Sequence, residues 1–177
     1  AIETTDLKVM STDQLLSLSS SQVRALSTAQ MVELTSVQLV GLSSAAVGAL
    51  TTQQLSVLTD AKRNYLDVAS IAALSSTQMA GLTTTQFAGL STTAIASLNT
   101  STVSNLTTAQ IAALTTDQAL NLTTTTLKAL TTKQIEVLET TDLKVLTSSN
   151  IAILSSVQLQ ALTTSQVQAL LTTQIAA

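Results

Sequence analysis

Apolar side chains recur along this chain at alternating intervals of three and five residues, and the pattern runs from one end to the other. With Glu3 as position 1 of an octad, position 8 reads Ile2, Met10 and then Leu at every site from Leu18 to Leu170. Position 5 runs from Leu7 to Ile175 and is aliphatic or Met almost throughout, as in Val23, Met31, Ile111 and Leu159. Phe87 also fits there; Arg63 and the small Ala119 are the departures. The polar letters are as regular. Position 1 is Ser or Thr at 17 of 22 sites, with Asp67 and Asn99 as equivalents, and position 4 is Gln at 13 of 22, from Gln14 to Gln174. Position 7 is mostly small. Such a fixed period marks a repeat architecture.

An eight-residue period suits neither regular element. In an unbroken α-helix eight residues turn about 800°, so the apolar stripe drifts about 80° per octad and no single seam can be buried. In a flat strand the odd spacings send the two apolar positions to opposite faces. The polar letters resolve this. Ser or Thr followed three residues later by Gln is a capping box, in which the hydroxyl accepts from the N3 amide and the Gln reaches back to the N-cap amide. The Leu before the cap and the apolar residue at position 5 are then N′ and N4, the two halves of a hydrophobic staple. The stretch TTAQIAALTTDQALNL, residues 107–122, is a helix start written twice. Each helix has room for about five or six residues before the next cap.

Helices that short do not stand alone in water, so neighbouring coils must cover one another's Leu and Ile. The predicted fold is all-α: a solenoid of short capped helical turns, one continuous array over residues 1–177, about 22 octads from residue 3 with no separate domains. Positions 5 and 8 face inward, small position 7 sits at the tight contact, and the hydroxyls cap or face outward. Two to four octads per coil are feasible, and no 16- or 24-residue superperiod chooses between them. A β-solenoid is the alternative, because Thr, Val and Ile suit strands. Against it stand the scarcity of corner residues such as Gly, with only four in the chain, the N3 Gln and the frequent Ala.

Composition narrows the function more than it names one. There are 33 Thr and 22 Ser, so small hydroxyls coat the chain, while charged residues make up 10% against about 25% in ordinary domains. The absence of Pro and a mean hydropathy of +0.43 argue for order rather than disorder. A net charge of −3 implies no cationic partner, and no basic patch with aromatic partners suggests nucleic acid. Zero Cys excludes disulfides and thiolate metal sites. No apolar run approaches the ~18 residues of a membrane span. AIETTDLKVM lacks the basic start and apolar core of a signal peptide; with no initiator Met, a processed chain or a segment of a longer one is expected.

A few positions break the monotony. In TDAKRNYLDVAS, residues 59–70, Arg63 fills an apolar slot, Lys62 replaces Gln and Tyr65 follows. This is a lateral contact or ligand patch, or else a degenerate octad whose Arg snorkels outward along its own stem; the second is expected, with Asp67 capping the next turn. Glu136, Glu139 and Asp142 form a mild acidic run between Lys133 and Lys144, expected as a solvated face rather than a calcium site, since no calcium-loop motif is present. The sequons at Asn99, Asn105 and Asn121 are weak glycosylation signals. With no His, no Cys and no glycine-rich phosphate loop, and with hydroxyls that lack a base and an orienting partner, no catalytic, cofactor-binding or metal residues are expected. The chain is not expected to be an enzyme.

The wording LTTAQIAALTTDQ resembles the Thr/Ser/Ala/Gln/Leu-rich octapeptide arrays of very large secreted bacterial surface proteins, adhesin-like or filament-forming. The resemblance spans essentially the whole chain and implies an extracellular or cell-surface structural or adhesive role; it carries no functional residues across. The octad register also runs unbroken to both termini, so the ends expose core and would stack on another copy or on more of the same chain. Two functions follow. One is a structural protein of an extracellular filament, stalk or matrix fibre, its partner being itself, end to end or side by side. The other is an adhesin or ligand-binding solenoid whose regular Thr face, including Thr84, Thr92, Thr108 and Thr116 in one unbroken column, grips a polysaccharide, a cell surface or ice.

Overall fold

The computed structural model describes residues 3–63 and 66–176. Among them are 22 helices of four to six residues, one per octad, and no strand. The fold is an all-α solenoid of short turns, and the β alternative falls away.

The octad at Thr107 shows how each turn is made. Thr107 is extended, with φ −70° and ψ 152°, and opens the helix Thr108–Ala112. Its hydroxyl accepts from the Gln110 amide at 3.1 Å, and Gln110 Oε1 accepts from the Thr107 amide at 3.0 Å. That is the capping box read from positions 1 and 4. After one turn the chain tightens: the Leu114 amide donates to the Ile111 carbonyl at 3.2 Å, and the next extended cap, Thr115, begins the following helix. The bend therefore alternates right-handed helical residues with an extended cap, and at Met10, Leu130 and Leu146 the residue before the cap is extended as well. No described residue has a positive φ, so the corners have no use for the left-handed conformation that makes Gly and Asn favoured turn residues. That is why a chain with four glycines can turn 22 times.

Three octads complete one coil. In residues 1–90, one of two compact units, Thr4–Val9 packs on Thr28–Glu33, Thr12–Leu16 on Ser36–Val40, and Ser20–Arg24 on Ser44–Gly48. In residues 91–177, the other unit, Thr92–Ala96 packs on Thr116–Leu120, that helix on Thr140–Val145, and that in turn on Thr164–Ala169. Each partner lies 24 residues on. In sequence the octads run through Leu90 and Ser91 without an inserted residue.

Within each unit positions 5 and 8 form the core. Ile111 and Leu114 are buried, as are Met31, Leu34, Phe87, Leu127 and Leu130. The direction of coverage is also visible. Ile135 and Leu143 are fully buried, but their equivalents one coil later, Leu159 and Val167, are 41% and 48% exposed, and Ile175 is 66% exposed. Position 5 is thus covered by the coil that follows it.

Position 7 meets the preceding coil. A Cβ added to Gly41 would lie 2.8 Å from the Thr12 Cα and carbonyl oxygen, and one on Gly81 would lie 2.9 Å from Thr52 Cγ2. These glycines serve closeness, not backbone freedom. Gly41→Val should cost about 1–3 kcal/mol through overpacking, seen as a lower urea midpoint; unchanged stability would mean that the coils are more loosely spaced than this contact requires.

Candidate functional site: the polar corners

A helix of five residues leaves almost every backbone group near an unsatisfied end. The capping box serves the amides at its start. The carbonyls at its finish are served from the next coil, by the other end of the same Gln. Gln54 accepts from the Thr51 amide at 2.8 Å through Oε1, while Nε2 donates to the carbonyls of Val23, Arg24 and Leu26 at 3.0, 3.2 and 2.7 Å. Gln38 treats Leu7, Lys8 and Met10 the same way at 2.8, 3.3 and 3.0 Å. In the second unit Gln134 reaches Val103 and Leu106 at 2.9 and 2.8 Å, Gln158 reaches Leu127 and Leu130, and Gln166 reaches Ile135, Glu136 and Leu138. The acceptors lie 28 to 31 residues back, one coil and one octad earlier. Each corner is thereby pinned to the corner beneath it. These side chains are buried despite their polarity because both ends of the amide are satisfied.

The role of Nε2 was not foreseen from the sequence, although a signal existed. A capping box works equally well with Glu at N3, yet no octad carries Glu there. Of Gln and ionised Glu, only the amide both accepts and donates. Two substitutes at position 4 follow the same logic: Lys62 Nζ donates to the Val32 carbonyl, and Asn150 Nδ2 to that of Leu122 at 3.4 Å.

Other singled-out residues fall differently than expected. Arg63 does not snorkel outward: it is 2% exposed, and its guanidinium donates to the Leu58 carbonyl, which also accepts from Gln86 Nε2 at 3.4 Å. Position 5 aims its side chain at the axis whatever the residue, and the buried cation finds the Leu58 bend carbonyl in place of water. Tyr65 lies outside the described residues. Asp67 does cap: its carboxylate accepts from the Ser70 amide at 2.7 Å, and hydrogen bonding from Ser70 holds it below the usual carboxylate range. Lys8 and Glu33, on helices one coil apart, pair at 2.8 Å across the exposed surface, and the hydrogen bond and charge of Lys8 lower the Glu33 pKa.

The acidic run is not one solvated face. Glu136 and Glu139 are exposed, but Asp142 is 2% exposed and accepts from the Thr116 hydroxyl at 3.1 Å. Among the described residues no group of three or more His, Cys, Asp or Glu could hold a metal. Asn99 caps its helix by accepting from the Thr102 amide at 2.8 Å, while exposed Asn105 and Asn121 donate to the Ser101 and Asp117 carbonyls. The Thr column also changes. With three octads per coil, residues eight apart within a unit occupy different sides, so Thr108 and Thr116 do not share a column. Columns run every 24 residues, as in Thr92, Thr116, Thr140 and Thr164. An open groove of about 390 Å³, lined by Arg24, Leu50, Thr52, Gln53, Thr77 and Gln78, brings together no acid–base pair.

A family model described as the ALTTAQ repeat matches residues 1–36, a match that supports a repeat protein. No curated protein and no solved structure matches the chain. No helix among the described residues is long and apolar enough to cross a membrane.

The corner account separates two substitutions at Gln134. Gln134→Met deletes the donor and the cap acceptor together and should cost about 1–3 kcal/mol for the carbonyls and the Thr131 amide left unpaired. Gln134→Glu keeps the cap acceptor but sets an anion against those carbonyls, so it should cost more at neutral pH. Urea unfolding of both variants checks the order; a Glu variant as stable as the parent would refute the inter-coil role.

Proposed function

We propose that this structural repeat protein builds an extended filament, stalk or matrix fibre outside a bacterial cell and performs no catalysis. One observation carries the reading: the two faces of every coil are complementary. The preceding face offers Gln amide donors, and the following face offers carbonyls and position-5 aliphatics, as the Gln54 and Gln134 corners illustrate. A coil with Leu159, Val167 and Ile175 open on its following face accepts another coil from the same chain or from a second copy. A surface of hydroxyls with little charge adds scant repulsion to such stacking. The partial match to the ALTTAQ repeat supports the repeat-protein part of this reading, and the extracellular setting rests on the resemblance to secreted bacterial arrays.

A second reading, adhesion to a polysaccharide, a cell surface or ice, is favoured by the Thr92, Thr116, Thr140 and Thr164 column. Retention on a polysaccharide or ice-affinity support, abolished by Thr92→Lys with Thr164→Lys, would favour it over the fibre.

For the fibre, residues 1–177 should lengthen with concentration in sedimentation velocity and form threads in negative stain. Leu159→Glu with Val167→Glu should leave short particles of unchanged helical dichroism. A single compact species at every concentration would sink the proposal.

A further inference from the structure

The octapeptide core ETTDLKV occurs twice, at residues 3–9 and 139–145, in two surroundings. In the first, exposed Asp6 turns back and accepts from the Glu3 amide at 3.3 Å. In the second, Asp142 is buried and turns to the coil beneath, where Oδ1 accepts from the Thr116 hydroxyl. Its other oxygen, Oδ2, is buried without a hydrogen-bond partner.

Asp142 holds the position that Gln holds at neighbouring corners. Counting back 31 and 28 residues, as for Gln134 on Val103 and Leu106 or Gln158 on Leu127 and Leu130, gives the carbonyls of Ile111 and Leu114. No side-chain donor among the described residues reaches either. Where the Gln134 and Gln158 corners bring an N–H to two carbonyls, the residue at the same place in this octad is a carboxylic acid.

We infer that this corner is a proton-operated latch: Asp142 takes a proton from solvent onto Oδ2 and, as a neutral acid, donates to the carbonyls that end the helix Thr108–Ala112, as Gln Nε2 does elsewhere. Ionised, the carboxylate faces carbonyl oxygens with one donor for its two oxygens, and the corner loosens.

The surrounding charges do not rescue the anion. The packed helix Thr116–Leu120 contributes Asp117, and Thr164–Ala169 contributes no charge. At the corner, Thr108–Ala112 is uncharged and Thr132–Glu136 brings Lys133 and Glu136, both exposed; the octad itself adds Glu139 at its cap and exposed Lys144. Burial raises the Asp142 pKa, and the charge of Glu139 raises it further, against the lowering effect of the Thr116 hydrogen bond. A native carboxyl that holds its proton more tightly than the unfolded one contributes stability that is whole below the unfolded pKa. That stability is lost as pH rises through the native pKa. The direction is opposite to that of Asp67, whose cap weakens as pH falls.

The test is urea unfolding of residues 1–177 from pH 4 to pH 8, comparing the parent with Asp142→Gln and Asp142→Asn. Gln already occupies this position in 13 octads, so the first variant should fold. Both variants should have higher urea midpoints than the parent at pH 8, with the gap narrowing as pH falls. The Asp142 carboxyl carbon should titrate, by NMR, above its unfolded-chain value. The same substitution at exposed Asp6 should move the midpoint less. A gap constant with pH, variants less stable than the parent at pH 8, or an unshifted titration would each overturn the latch. So would NaCl or CaCl2 raising the parent alone to the Gln variant's level at pH 8, since a cation would then complete the corner.

Discussion

Everything in this fold rests on satisfying the backbone of helices too short to satisfy themselves. A long helix leaves orphan amides and carbonyls only at its ends; here nearly every residue is near an end. A hydroxyl at position 1 and a Gln carbonyl oxygen serve the amides locally, and the Gln Nε2 serves the carbonyls of the coil before. The apolar positions could be filled by many aliphatic mixtures, and they are, with Leu, Ile, Val, Met and Phe all found at position 5. The amide is harder to replace, because it must accept at one end and donate at the other. Burial of the aliphatic pair and satisfaction of the corner are therefore one event: the coil that covers position 5 is the coil whose Gln reaches the carbonyls beside it.

Much of this was legible because local chemistry dictates it. The capping box at Thr107 and Gln110, the inward Ile111 and Leu114, and the small residue at Gly41 all follow from what a single octad must do. The number of octads per coil was not legible. It is a relation between residues 24 apart, and since every octad repeats the same letters, nothing in the side chains marks one partner over another. The Thr columns differ from the expectation for the same reason: without the coil number, Thr108 and Thr116 look stacked when they lie on adjacent sides. Arg63 was misread through a surface rule applied to a position whose backbone aims it inward.

The two copies of ETTDLKV show how far identical words diverge when position in the array differs. Asp6 has solvent beside it and settles on its own cap amide; Asp142 has a coil beneath it and is drawn into the corner. Local sequence sets which groups are offered, and the neighbouring coil sets which are taken. In a quasi-one-dimensional fold this makes nearest neighbours the unit of energetics, so a polar substitution at position 4 acts on two corners: its own, and the one an octad and a coil before.

The same argument gives the array a direction. Amides point back and aliphatic side chains are covered from ahead, so a coil cannot be inverted without setting donors against donors and carbonyls against carbonyls. On the proposed function, assembly through these faces would run head to tail, which generates open filaments when the rotation does not close. The joining forces are hydrogen bonds between uncharged groups together with apolar burial, and neither is screened by salt as exposed ion pairs are. Among the described residues the buried charges are Arg63 and Asp142, while pairs such as Lys8–Glu33 lie on the surface. An array built this way draws little of its cohesion from ionic strength, and pH acts on it in opposite directions at Asp67, whose cap weakens as pH falls, and at Asp142, where a buried acid stands in place of an amide.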